Sequence, residues 1–322
     1  LIPEDLKLYP FMLDLLTEQV AGYYDPHEKT LYLADWISVD LQKPVIAHEL
    51  LHALQDQYFG LKQFLEKVEG NDDQTLARNA LIEGEGLAVM LSYSLQPLGQ
   101  DFLDIPDIVG LNRAQLPLMA AEFPIFASAP AYLRETLMFP YSYGAVFLQE
   151  YLRSHSWDQV AEIYADLPQS SEQILHPEKY FVQRDSPTLV TTEGLEAALE
   201  GSWESIFETV LGEYTLYLLL EGRLGAEEAE RAAEGWDGDS VHLLENGDES
   251  VLLMTTIWDS DEDALEFLQA YRNLMEARFP AIEFRSERNG EDGMRYITEQ
   301  PRHRITIEHS GRGVDLSEFR RH

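Results

Sequence analysis

The 322-residue chain contains no cysteine. That excludes a disulfide framework, thiol catalysis and any Cys-ligated zinc site, and leaves the compartment open. Basic residues are scarce: 23 Lys and Arg face 58 Asp and Glu, a formal net charge of −35. Phosphate backbones are held by Lys and Arg, so nucleic acid is excluded as a partner. Docking on an anionic membrane surface is disfavoured by the same repulsion. No stretch reaches the roughly 20 apolar residues needed to span a bilayer. The chain opens at LIPEDLKLYP with neither an initiator Met nor a charged-then-apolar leader. A mature or trimmed form is therefore expected, with any export signal outside this sequence. What remains is a composition of 45% hydrophobic and 25% charged residues, that of a folded chain long enough for one large domain or two ordinary ones.

The organisation is read from periodicity. PEDLKLYPFMLDLLTEQV has apolar residues at helical spacing behind an acidic first turn, and AGYYDPHEKTLYLAD reads as two short strands around an Asp-Pro turn. VIAHELLHALQDQYFG follows, with Pro44 suited to a first helical turn and Val45, Ile46, Leu50, Leu51 and Leu54 as the buried side. DDQTLARNALIEGEGLAVMLSYSL is a second long helical pattern, loosened by Gly84 and Gly86. Residues 99–225 are expected to be mostly helical, broken at DIPDIVG, EFPIFASAPAY and MFPYSYG. Beyond about residue 235 the texture changes: two strands joined at Asn246-Gly247, a capped helix from SDEDALEF, and further strands in MRYITEQPRHRITIEHSG. The expected class is α+β, with a mostly helical domain carrying a short N-terminal β element over 1–223 and a small α+β domain over 224–322.

His48 and His52 stand four apart, with Glu49 directly after the first. On an α-helix residues four apart share one face, so both imidazoles can aim at one point, as Zn²⁺ with bonds of about 2 Å requires. Glu49 lies about 100° round the helix, placed to act on water without ligating the metal. A catalytic zinc needs a third protein ligand and an open fourth position. With no Cys the third ligand is another His or a carboxylate, and the next helix offers Glu83 and Glu85. A carboxylate in an apolar helix is costly unless a cation pairs with it or the glycines open the helix to water. Asp56, one turn beyond His52, either orients an imidazole or faces solvent.

HELLH followed by a helical Glu resembles the gluzincin type of zinc metallopeptidase. EGLA and YSYGA are similar to pieces of the aminopeptidase-N group, in which a Tyr two residues before a Lys-Gly-Ala run stabilises the transition state. Tyr141 holds that position here, and Tyr143 replaces the Lys. Over nearly the whole chain, AGYYDPHEKTLYL, HELLHALQDQYF, ALIEGEG, FPYSYGAVF, SSEQILHPEKY and AAEGWDGDSVHLL resemble a poorly characterised set of bacterial and archaeal gluzincin-like proteins, many of them exported or surface-anchored. The resemblance implies a zincin-like fold, Zn²⁺ held by His48, His52 and Glu83, and Glu49 as the general base in hydrolysis of a peptide or protein substrate. Tyr141 is the expected oxyanion donor, with Tyr143, His176 and Tyr180 behind it. An extracellular or cell-surface location is implied too, a cytoplasmic one being left open by the residues themselves. Gly86 departs from the Ala usual in that set, a small change. AGYYD lacks the Glu that anchors a free amino terminus in the aminopeptidase group, so endopeptidase action is favoured over exopeptidase action. Two other classes are compatible with the residues: a non-catalytic metal-binding surface or adhesion protein, and a binding module whose C-terminal part exposes an aromatic patch around Trp236 and Trp258.

Overall fold

The computed structural model describes the chain except for Leu1, Glu4, Ile37, Glu66, Lys67, Gly290, Glu291, Asp292, Pro301 and Arg302, and describes only the backbone at positions 41, 63, 65, 116–119, 289 and 299. The fold is α+β. It comprises two compact units: residues 1–67, 75–169 and 173–184 form the first, and 68–74, 170–172 and 185–322 the second. Among the described residues no helix is long and apolar enough to cross a membrane.

The first unit begins with α1 (Leu8–Gln19) and the antiparallel hairpin β1 (Gly22–Asp25) and β2 (Thr30–Leu33), paired Gly22 to Leu33 and Asp25 to Thr30. Of the acidic turn expected before α1, Glu4 lies outside the described residues and Asp5 precedes the helix. Next come α2 (Val39–Phe59), α3 (Leu61–Leu65) and α4 (Asp72–Leu95), the last matching the expected span and running unbroken through Gly84 and Gly86. Helices α5 (Ile108–Met119), α6 (Pro124–Ser128), α7 (Ala131–Leu152), α8 (Ala161–Ala165), α9 (Ser171–Leu175) and α10 (Glu178–Phe181) follow. Two proline expectations are corrected. Pro44 lies inside α2, which starts five residues earlier than Pro44 in the turn opened by Ser38, and Pro140 lies inside α7 rather than breaking it. Each removes one i→i−4 hydrogen bond, a loss that the packing of a long helix absorbs.

Helix α2 ends where Gly60 takes φ +74 and returns its N–H to the Asp56 carbonyl, the left-handed cap that favours glycine. Its rotation differs from the expected one, with Val45, Ile46 and Leu51 only half-buried. Leu50 and Leu54 are 52% and 48% exposed, whereas His48, Glu49, His52, Gln55 and Asp56 are buried. Burying a leucine is worth about 1.5–3 kcal/mol, so hydrophobicity within α2 alone favours another rotation. The tertiary partners of the polar stripe decide it.

The second unit contains α11 (Glu193–Glu196), β3 (Glu204–Thr209), α12 (Gly212–Leu224), α13 (Ala226–Ala233), β4 (Trp236–Asn246), β5 (Glu249–Trp258), α14 (Asp261–Arg278), β6 (Arg285–Asn289), β7 (Gly293–Gln300), β8 (His303–Ser310) and β9 (Gly313–Arg321). The strands form one antiparallel sheet in the order β3-β4-β5-β9-β8-β7-β6. Its main core joins Leu216 and Leu220 of α12, Ala229 and Ala232 of α13, and Phe267 and Leu274 of α14 to Trp236, Trp258, Ile305 and Ile307 of the strands. The Ser260 hydroxyl caps α14 by accepting the Asp263 N–H. Besides 68–74 and 170–172, the unit takes the chain from residue 185 onward, where 224 is the expected boundary: β3 pairs with β4 (Thr209 to Val241) and α12 packs into the sheet's own core. Strand β3 lies in a segment expected to be helical, and its short exposed pattern carries little signal: Ile206 and Phe207 are 48% and 44% exposed on an edge strand. The aromatic patch is also corrected, since Trp236 and Trp258 are both fully buried.

Within this unit Asp239 is buried and accepts hydrogen bonds from the Leu211 N–H (2.9 Å), the Gly212 N–H (2.8 Å) and the Trp236 indole (2.9 Å). Burial nonetheless pushes its carboxyl up to about 6. A carboxyl raised in the folded state gives stability that is present below its unfolded value and is lost as pH rises through the folded one. Asp239→Asn should therefore be most disadvantaged relative to the parent near pH 3. Roughly 3 kcal/mol of that difference should fade by pH 7, as read by urea melts at the two pH values; a pH-independent difference would contradict the assignment.

Candidate metal centre

Helix α2 brings its buried stripe against α4, and there three ligand atoms converge. His48 Nε2 lies 2.9 Å from His52 Nε2 and 3.2 Å from Glu83 Oε2, and His52 Nε2 lies 3.5 Å from the same oxygen. Two histidines and a carboxylate held within 4.8 Å of one another form a set that can hold a metal. In a tetrahedral zinc site with bonds near 2 Å, ligand atoms stand about 3.3 Å apart, so the observed edges fit that ion. The electrostatics point the same way. Burial alone would lower the His52 imidazole, yet its hydrogen bond with Glu83 and the charge of that carboxylate bring it up to about 9. Burial would likewise raise Glu83, and the two imidazoles hold it well below the usual carboxylate range. The cluster attracts positive charge.

The orientation of His52 is set from behind. Its Nδ1 meets Gln55 Oε1, an acceptor, at 2.8 Å, so Nδ1 carries a proton and Nε2, facing Glu83 and His48, is the nitrogen left to ligate a metal. The Gln55 amide group in turn donates to Glu85 Oε2 (2.8 Å) and the Tyr164 hydroxyl (2.8 Å), and that hydroxyl donates to Glu85 Oε2 at 2.6 Å. Glu83 and Glu85 thus have different work: Glu83 faces the imidazoles, and Glu85 is buried in the network that fixes one of them. Glu85 is not opened to water by the neighbouring glycines, being 8% exposed, and Glu83 is half-buried.

The glycines serve packing instead. A Cβ at Gly84 would lie 2.2 Å from the Gly144 carbonyl carbon, and one at Gly144 would lie 1.9 Å from the Ala80 oxygen, so α4 and α7 touch backbone to backbone. A Cβ at Gly86 would fall 2.5 Å from His48 Cε1. A Cβ there has no room while the His48 ring keeps this position.

Glu49 is 7% exposed. Burial raises its carboxyl against the lowering influence of His52 and His48, and it accepts the Tyr24 backbone N–H. The edge strand β1 comes in close: a Cβ at Gly22 would meet Val45 Cγ1 at 2.6 Å and Glu49 Cγ at 3.4 Å. Tyr141 joins the cluster. Its ring stacks on His48 with centroids 6.1 Å apart, and its hydroxyl donates to Glu83. Burial and the charges of Glu83 and Glu49 keep that hydroxyl protonated well above the usual range, although the residue as a whole is 40% exposed.

The other expected residues go elsewhere. Tyr143 stacks on Phe139 and its hydroxyl meets Arg113 at 3.5 Å, consistent with a position some 200° round α7 from Tyr141. Tyr180 gives its hydroxyl to the Asp166 carbonyl and its ring to Arg184. His176 precedes α10 and lies 4.0 Å from Glu178. Asp56 neither orients an imidazole nor faces solvent: it accepts the Tyr24 hydroxyl at 2.8 Å and pairs with Lys29, clamping the β1–β2 hairpin to α2. Gln55, Tyr164 and the close approach at Gly86 went unread in the sequence. The i, i+3 spacing of His52 and Gln55 was the one local signal for them.

A family described as a domain of unknown function (DUF8575) matches residues 203–318. That span lies in the second unit and includes none of His48, Glu49, His52 or Glu83. No curated protein and no solved structure matches the chain.

Two substitutions test the construction of the cluster. Gln55→Ala should weaken metal binding by about 10–100-fold while leaving the helix content intact. Gly86→Ala should displace the His48 ring and weaken binding by at least about tenfold. Titration calorimetry with Zn²⁺ reads both, and unchanged affinity would remove these residues from the design.

Proposed function

We propose that the chain is a zinc-dependent peptidase of the gluzincin type, acting as an endopeptidase. The reading is carried by one observation: His48, His52 and Glu83 converge within 4.8 Å while Glu49, on the turn between the two imidazoles, keeps a buried carboxyl beside them. A bound Zn²⁺ would supply Lewis acidity, polarising a peptide carbonyl and acidifying water. His48, His52 and Glu83 would hold the ion, with His52 fixed by Gln55. Glu49 takes a proton from the attacking water as its oxygen bonds to the carbonyl carbon, then delivers that proton to the amine as the C–N bond breaks. The Tyr141 hydroxyl, protonated and drawn to Glu83, is the donor for the oxyanion that develops.

Endopeptidase action is favoured by the state of β1. Its acid, Asp25, is already engaged by the Tyr23 hydroxyl (2.7 Å) and the N–H groups of His27 (2.7 Å) and Glu28 (3.1 Å), which leaves it poorly suited to capture a substrate's free amino terminus. An extracellular or cell-surface location belongs to the same proposal.

Glu49→Gln should bind Zn²⁺ as the parent does and lose peptide hydrolysis by about 10²–10⁴-fold; hydrolysis that survives the change would refute the general-base role. Glu83→Ala should lower zinc content, measured by mass spectrometry of the metal, more than Glu85→Ala does. N-acetylated and free-amine forms of one peptide should be cut at similar rates, and a strict need for the free amine would turn the reading to an aminopeptidase.

A further inference from the structure

A second cluster of polar side chains lies wholly within the second unit. The Ser205 hydroxyl of β3 meets Nε2 of His242 on β4 at 2.7 Å. Nδ1 of the same imidazole meets Glu196 Oε1, at the end of α11, at 2.8 Å. The Thr192 hydroxyl donates to that carboxylate oxygen at 2.6 Å. These hydrogen bonds, that of Thr192 most of all, hold Glu196 below the usual carboxylate range. The carboxylate can only accept, so a neutral imidazole keeps its proton on Nδ1 and offers the Nε2 lone pair to the Ser205 hydroxyl. His242 is 8% exposed and Glu196 half-buried, whereas Ser205 is exposed.

The surroundings leave the serine open and favour uncharged groups. Among the described residues β3 is the outer strand of the sheet, and its register against β4 shifts between Ser205 and Phe207. Bulges of this kind are frequent beside active sites, where they re-aim a side chain. An outer strand also presents backbone N–H groups with no ladder partner, the kind of donor that a developing oxyanion requires. Leu244 faces Ser205 across the ladder, and Leu195, Leu199 and Trp203 pack half-buried against it and its neighbours. Glu208 faces His242, and Glu204 faces Glu245. An apolar acyl group therefore finds a surface beside the serine, and an anionic one is repelled. Hydrogen bonds that served only to pin α11 to the sheet would have no need of an exposed hydroxyl at their open end.

We infer that Ser205, His242 and Glu196 act as nucleophile, general base and orienting acid, and that the second unit hydrolyses uncharged esters of apolar acyl groups without a metal. A nucleophile and base within hydrogen-bond reach, the base held by a third group, meet the geometric requirement for acyl transfer. Ser205 Oγ bonds to the acyl carbon as His242 Nε2 takes the hydroxyl proton, and the alcohol leaves with that proton as the ester C–O bond breaks. Water then gives a proton to Nε2 and bonds to the acyl carbon. The acyl bond to Ser205 Oγ breaks, Oγ recovers the proton from Nε2, and the carboxylic acid is released. Glu196 is a positioning residue, fixing the ring and stabilising the imidazolium that forms in each half. The activity is separate from the zinc cluster of the first unit.

The test uses the full chain with EDTA present, an alkyl fluorophosphonate, and the p-nitrophenyl esters of butyric and succinic acid. The fluorophosphonate should form a phosphorus–oxygen bond at Ser205 with loss of fluoride, located by mass spectrometry of the digested protein. Ser205→Ala, an exposed change that spares the fold, should abolish the adduct, and His242→Gln should slow its formation by about 10²–10⁴-fold. The butyryl ester should turn over faster than the anionic succinyl ester. Glu196→Gln should lower kcat by about 10²-fold or more with KM unchanged. No adduct at Ser205, an adduct formed as fast in His242→Gln, or labelling without ester turnover overturns the assignment. Equal rates for the two esters overturn the substrate class.

Discussion

Unpaired polar side chains cost on the order of 1–3 kcal/mol each when buried in a protein, and α2 buries five polar side chains over little more than two turns: His48, Glu49, His52, Gln55 and Asp56. Every one has a partner. Glu83 meets both imidazoles, Gln55 holds His52 and is itself held by Glu85 and Tyr164, Tyr24 and Lys29 take Asp56, and the Tyr24 backbone reaches Glu49. The same rotation leaves Leu50, Leu54 and Tyr58 exposed. A helix oriented by its own hydrophobic residues would not lie this way. The polar meeting of α2 with α4 fixes the orientation, and the hairpin and α7 are arranged around it.

That meeting depends on the absence of side chains as much as on their presence. Gly84 and Gly144 let α4 and α7 approach to backbone contact, and Gly86 leaves the space that the His48 ring occupies. Two carboxylates two residues apart on α4 can then point to different tasks, one at the imidazoles and one behind them. The arrangement is preorganised: the His48, His52 and Glu83 donor atoms already stand 2.9–3.5 Å apart, and Gln55 holds Nδ1 of His52. Sites built on rigid helices with a supporting layer of hydrogen bonds lose little free energy to ordering when they bind.

The second unit obeys different rules. Its seven-stranded antiparallel sheet and three helices share a core of two fully buried tryptophans, aliphatics and Phe267, as an independent domain requires. Its buried acids are structural. Asp239 gathers the N–H groups that open α12 and the Trp236 indole, and Asp73 accepts the Ser171 N–H at 3.1 Å while burial pushes its carboxyl well above the usual range. Not every acidic residue of the chain is therefore a solvated surface carboxylate.

Much was legible in the sequence because local chemistry sufficed for it. The span of α4 follows from its apolar period, the β1–β2 hairpin from the Asp-Pro turn, the β4–β5 pair from its turn residues, and the Ser260 cap from its side chain. HELLH placed two imidazoles on one face, and no fold is needed for that statement. Tertiary structure decided what local pattern cannot encode. It turned Leu50 and Leu54 outward, set Glu83 rather than Glu85 against the imidazoles, put Gln55 rather than Asp56 on His52, and drew β3 and α12 into the second unit. Each of these outcomes depends on which groups far apart in sequence come to share a buried space, and the cost of leaving a buried polar group unpaired exceeds any preference that one segment holds alone.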